Sequence, residues 1–153
     1  MRLLFFCIFI FMSIHSFAQE FDKQNIYYQT LKSHFEYIEE QHGKRPDLWR
    51  MASIYYIEED FITTKGFPDF VDKNKIQVLS LSDIKEKTKN KKSINLLAVR
   101  PAQWEEGKVI INVIEFSVSR KGNNYSYLNL MDGTSYQIIY NSNTKQYSLI
   151  PIK

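Results

Sequence analysis

Residues 109–140 read VIINVIEFSVSRKGNNYSYLNLMDGTSYQIIY, and their pattern decides the fold. Apolar and β-branched side chains fill three runs, 109–119, 124–131 and 134–140, broken at Lys121-Gly122-Asn123 and at Asp132-Gly133. Runs of this composition between turn residues predict strands. Asp132-Gly133 is the sharpest local signal, because a two-residue type I′ turn needs positive φ at both positions. If Met131 pairs with Thr134 across it, Asn129 faces Tyr136, Tyr127 faces Ile138 and Tyr125 faces Tyr140. A two-residue turn at Gly122-Asn123 sets Val118 beside Tyr127, Phe116 beside Asn129 and Ile114 beside Met131.

Outward from this block, strands are predicted at 94–100 and 146–151. A loop with Pro101 and Gly107 precedes 109–119, and a four-residue turn at 141–144 sets Tyr147 beside Ile138 and Leu149 beside Tyr136. Together the turns gather Ile114, Phe116, Val118, Tyr127, Met131, Tyr136, Ile138, Tyr147 and Leu149 on one face. Serines and Gln137 dominate the other. A slip of one residue would expose the whole apolar set, so the agreement supports the register.

Phe21, Tyr28, Leu31, Phe35, Ile38 and His42 recur at helical spacing and predict a helix over 21–42 that covers this face. Asp22 is the expected cap, and Gly43 with Pro46 the expected stop. Residues 47–51 predict a short helical turn and 53–63 a strand. Gly66-Phe67-Pro68-Asp69 reads as a turn, 76–81 as a strand, and Ser80 or Ser82 as the cap of a polar helix reaching Lys89. The expected fold is α+β, an N-terminal helix packed on a curved antiparallel β-meander. This order of elements resembles the cystatin-like and nuclear-transport-factor-2-like rolls, a likeness of architecture that includes enzymes, ligand carriers and interaction modules. The chain also resembles small exported proteins of Gram-negative bacteria.

The first eighteen residues carry an address. Arg2 precedes an apolar run from Leu3 to Met12, and Ser16-Phe17-Ala18 offers small residues for cleavage before Gln19. The run is shorter than the roughly 20 apolar residues of a spanning helix. Export to the periplasm or outer surface, with removal of 1–18, is therefore expected; membrane attachment would arise only from an uncleaved leader. Residues 19–153 then form a single domain.

The lone cysteine, Cys7, leaves with the leader, which excludes thiol chemistry and Cys-ligated zinc from the domain. A net charge of +3 is too small to imply a nucleic-acid partner. The run Lys85, Lys87, Lys89, Lys91 and Lys92 reads as a solvated face. Glu58-Glu59-Asp60 lacks the alternation and central glycine of a calcium loop and also reads as solvated charge. No His-Glu-x-x-His pattern, phosphate loop or nucleophile elbow occurs, and nothing calls for a metal or cofactor.

Two candidate sites follow. Arg100 and Trp104, in the loop before residue 109, suit a protein contact, since Trp and Arg are enriched at hot spots. Asn129, expected inside the apolar face, needs a partner that a tyrosine, a water or a ligand can supply. The alternative is a pocket between helix and sheet lined by His34, Tyr55, Asp60 and Tyr136, where a carboxylate acts as base and His34 relays a proton. A non-enzymatic contact module with an unknown partner is the leading expectation, and a small pocket enzyme or ligand carrier the rival. Partner identity and oligomeric state stay open.

Overall fold

The computed structural model describes residues 24–46, 51–89, 93–122, 124–130 and 133–152. The predicted leader 1–18, the predicted cap Asp22 and most of the predicted turn at 47–51 lie outside them. The elements are α1 (Ile26–Lys44), β1 (Tyr55–Glu58), β2 (Phe70–Val71), β3 (Asn74–Leu79), α2 (Leu81–Lys89), β4 (Ile94–Val99), β5 (Gln103–Glu105), β6 (Lys108–Lys121), β7 (Asn124–Asn129), β8 (Thr134–Asn141) and β9 (Gln146–Ile152). Over the described residues the protein is α+β, with two helices on a mixed sheet. The sheet runs β2-β3-β1-β4-β6-β8-β9, and β5 and β7 both pair with β6. Its β1 is parallel to both β3 and β4, so the sheet as a whole is not a simple antiparallel meander. No helix among the described residues is long and apolar enough to cross a membrane.

β6 is fourteen residues long. Every backbone N–H and C=O along it needs a partner. β4 and β5 occupy one edge, while β7 and β8 share the other. The turn at Gly122-Asn123 forms as predicted, pairing Lys121 with Asn124, Val118 with Tyr127 and Phe116 with Asn129. Gly122 supplies a positive φ of 62° there.

Asp132-Gly133 makes no hairpin. Leu130 N donates to Glu115 O at 3.0 Å, and pairing resumes with Thr134 opposite Val113. β7 and β8 thus run in one direction along β6, with the register advanced by two residues between Asn129 opposite Phe116 and Thr134 opposite Val113, so the β7–β8 side is bulged. Gly133 is needed for closeness rather than for positive φ, because a Cβ there would lie 2.3 Å from the Val113 carbonyl oxygen.

That change redistributes the predicted apolar face. Opposite residues in an antiparallel ladder share a face, so Ile111 joins Tyr136 and Val109 joins Ile138. Leu149 faces Ile138 and Tyr147 faces Tyr140, two residues from the predicted register, so that set keeps its face. The shift arises at the turn, where Asn141 Oδ1 accepts from Asn143 N (3.0 Å) and Thr144 N (3.2 Å) and starts the loop one residue late. Tyr136, Ile138 and Leu149 lie under α1 with Ile111 and Val113. Phe116 and Val118 lie on the opposite face with Leu79, Ile94, Leu96 and Ile84 of α2. The single apolar face becomes two half-faces, each with its own helix.

Asn25 caps α1, accepting from Tyr27 N and Tyr28 N. Gly43 lies within the last turn and Arg45, not Gly43, closes the helix, its N–H donating to Gln41 O. The buried side of α1 comprises Tyr28, Thr30, Leu31, His34, Phe35 and Ile38. Burying Leu31 and Phe35 stabilises by roughly 1.5–3 kcal/mol each. Ser80 begins α2 with a reciprocal cap: Asp83 N donates to Ser80 Oγ at 3.2 Å and Ser80 N to Asp83 Oδ2 at 2.9 Å. Burial of Ile84 between Leu79 and Leu96 seats that helix.

The predicted strand 53–63 stops at Glu58. Asp60 ends it by accepting from Ile62 N (2.8 Å) and Thr63 N (2.9 Å), which turns the chain. Trp104 lies on a strand, not in a loop. Glu106 and Gly107, at φ 47° and 80°, close a two-residue hairpin that pairs Glu105 with Lys108.

Gly133→Ala should cost about 1–3 kcal/mol in urea unfolding by forcing β8 away from the Val113 carbonyl. Gly43→Ala, whose Cβ meets nothing within 4 Å, should leave stability unchanged or raise it by about 0.5 kcal/mol. Equal tolerance of both changes would contradict the bulge.

Candidate functional site

The residues singled out by the sequence fall into three places. Arg100 follows β4 and points to the α2 side of the sheet. Its guanidinium stands 5.7 Å from the centroid of the Phe116 ring, and Nη1 is 3.1 Å from Glu58 Oε2. The Glu58 side chain is about a quarter exposed, so it is not the solvated charge expected of it. Phe116 meets Tyr127 edge-on at 5.8 Å, and Asn129 lies opposite Phe116 in the ladder. Arg100 and Asn129 therefore do share one patch, together with Glu58, Phe116 and Tyr127.

Asn129 is exposed at the end of β7 rather than buried in an apolar face, because the bulge carries β8 past it. The Tyr127 hydroxyl is held above its ordinary range, mainly by burial and further by the Glu58 carboxylate, with Arg100 opposing. Glu58 and Tyr127 were not selected from the sequence. The alternation around β1 could have marked Glu58, since Tyr55 and Ile57 face α1 and an intervening position must face the other helix.

Trp104 belongs elsewhere. It pairs with Val109 on the α1 side and is 72 % exposed. Across β6 on the same side stand Tyr140 and Tyr147, 53 % and 58 % exposed, with ring centroids 5.0 Å apart. An open groove of about 440 Å³ adjoins them, lined in part by Ile26, Gln29, Ser33, Tyr147 and Leu149.

The alternative pocket set divides. His34, Tyr55 and Tyr136 lie buried between α1 and the sheet, at 4 %, 8 % and 3 % exposure. Phe35 packs on Tyr55 at 4.5 Å. His34 Nδ1 is 2.8 Å from Thr134 Oγ1. Burial raises the Tyr55 and Tyr136 hydroxyls above their ordinary range. The helix beds on a wide sheet, so its buried stripe takes in His34 beside Leu31 and Phe35.

Asp60 is not with them. It sits at the surface after β1, its carboxylate committed to the turn at Ile62 and Thr63 and held below its ordinary range mainly by the Thr63 N–H. His34 has no carboxylate base beside it in this arrangement, and the predicted proton relay does not assemble. Among the described residues no group of three or more His, Cys, Asp or Glu side chains could hold a metal ion.

The chain matches no family model, and no curated protein or solved structure is significantly similar to it. The geometry therefore carries the functional reading alone.

A double-mutant cycle on Glu58→Gln and Arg100→Gln should return a coupling of about 1 kcal/mol in urea unfolding, the exposure of Arg100 keeping it below a fully buried pair. Zero coupling would return Glu58 to the solvated surface.

Proposed function

We propose that the chain is an exported, non-enzymatic contact module of a Gram-negative envelope that binds a protein partner through the aromatic end of its α1 face. The observation that carries this reading is the grouping of Trp104, Tyr140 and Tyr147, each more than half exposed, on one face at one end of the sheet. Large rigid aromatics bury much area for little conformational entropy, which is why they anchor interfaces. Arg100 and Asn129, on the opposite face with Tyr127, would form a separate and smaller polar contact. The architecture we propose is a roll of the cystatin-like or nuclear-transport-factor-2-like kind, supported by α1 bedded across the long β6–β8 ladder. The parallel neighbours of β1 depart from a purely antiparallel version.

The leader supports export, and loss of Cys7 with it would suit the domain to an oxidising compartment. The burial of His34 and Tyr136 under α1 favours contact over an open helix–sheet pocket.

A photo-crosslinking amino acid placed at Trp104 or Tyr147 in the native host should yield a discrete adduct with a second protein. The same group at Lys85, on α2, should not. Adducts from all three positions alike, or from none, would remove this surface from the function.

A further inference from the structure

We propose that His34 is an acid-operated latch whose protonation frees α1 from the sheet at the point where β7 runs into β8. This goes beyond the contact surface and does not depend on it. His34 is the one imidazole among the described residues that is buried, at 4 % exposure. It ties the middle of α1 to Thr134, a hundred residues away, with Nδ1 2.8 Å from Oγ1. Thr134 is the first residue paired after the bulge, directly following the glycine whose backbone presses on Val113. The latch thus joins the helix to the sheet at the start of β8.

Its other nitrogen, Nε2, is buried with no hydrogen-bond partner among the described residues. A neutral ring tolerates this at the cost of one unmade bond. A cation does not, because a buried charge requires a counter-charge or several acceptors.

The surrounding groups supply neither. From β8 come Thr134 and Tyr136, and from β1 Tyr55; both phenols have raised pKa values and stay neutral in acid. From β6 come Ile111 and Val113, with Glu115 further along the same face. Burial holds the Glu115 carboxyl above its ordinary range, partly offset by a hydrogen bond from Asn95. On α1 itself, Glu36 and Tyr37 act on Tyr136 and Glu39 acts on Tyr55. None of these carboxylates acts on His34, whose pKa is lowered by burial alone, to about 4.

The sign follows by linkage. With its closed-state pKa below the ordinary 6.5, the imidazole takes up protons more readily when α1 is released. The closed form keeps full stability above about pH 6.5 and loses it as pH falls towards 4. The closed-to-open ratio should drop by on the order of 100-fold across that window. Glu115 works the other way, since a carboxyl raised in the closed state favours that state as pH falls. It blunts the latch at the acid end.

Hydrogen exchange on the purified protein, corrected for intrinsic rates, tests this together with NMR titration of the histidine ring. The amides of residues 28–38 should lose protection by roughly 40-fold between pH 6.5 and 4.5. His34→Gln, whose amide does not ionise, should flatten that dependence. His42→Gln, near the end of the same helix and only half-buried, serves as a control that should leave the dependence in place. Loss of the pH dependence in His42→Gln would overturn the assignment to His34, as would its retention in His34→Gln. If His34→Gln fails to fold, the wild-type ring decides. Titration of His34 with α1 still protected refutes the latch, and titration coincident with loss of protection supports it.

Discussion

Everything in this fold depends on keeping both edges of one long strand hydrogen-bonded. β6 runs fourteen residues, longer than any single neighbour, and an unpaired stretch inside the sheet would leave buried polar groups unsatisfied. The chain meets this need by placing β7 and β8 in succession along one edge and β4 and β5 along the other. The two-residue offset between the β7 and β8 registers absorbs the mismatch between the two halves. Gly133 permits it, because only a residue without a Cβ approaches the Val113 carbonyl so closely. The division of the core follows. Side chains of β6 alternate between Ile111 and Val113 under α1 and Phe116 and Val118 on the α2 face.

Much of this was legible in residue order. The runs of Val, Ile and Tyr marked β4, β6, β7, β8 and β9. Gly122-Asn123 marked the turn that sets β6 against β7, and Ser80 the start of α2. Where the structure departs from residue order the cause is the partner strand, whose demands local turn chemistry does not encode. Asp132-Gly133 carries a strong type I′ signature, yet here glycine answers a steric need that arises only once β6 lies alongside. Glu106-Gly107 makes the tight hairpin instead, with Glu106 in an unusual positive-φ position. Asp60 shows the reverse case, where a side chain placed in a candidate pocket spends its oxygens on the local backbone.

The site reading changed for the same reason. A hairpin would have buried Asn129 beside Tyr136. Carrying β8 onward exposes Asn129 and sends Tyr136 under α1, beside His34 and Thr134. Trp104 remains exposed, as a contact residue should, but its companions are Tyr140 and Tyr147 rather than Arg100. Arg100 is held by Glu58 and Phe116 on the other side of the sheet. Exposed aromatics thus stand at one end of the α1 face, and a buried imidazole at the helix seat.

The central claim is the continuous, bulged pairing of β7 and β8 on β6, and backbone NOEs test it most directly. Cross-strand NOEs between Asn112 and Ser135, whose side chains also meet at 2.6 Å, are predicted to be strong. Those between Leu130 and Ser135 should be missing. NOEs joining Leu130 to Ser135, without any from Asn112, would restore the Asp132-Gly133 hairpin and contradict the fold described here.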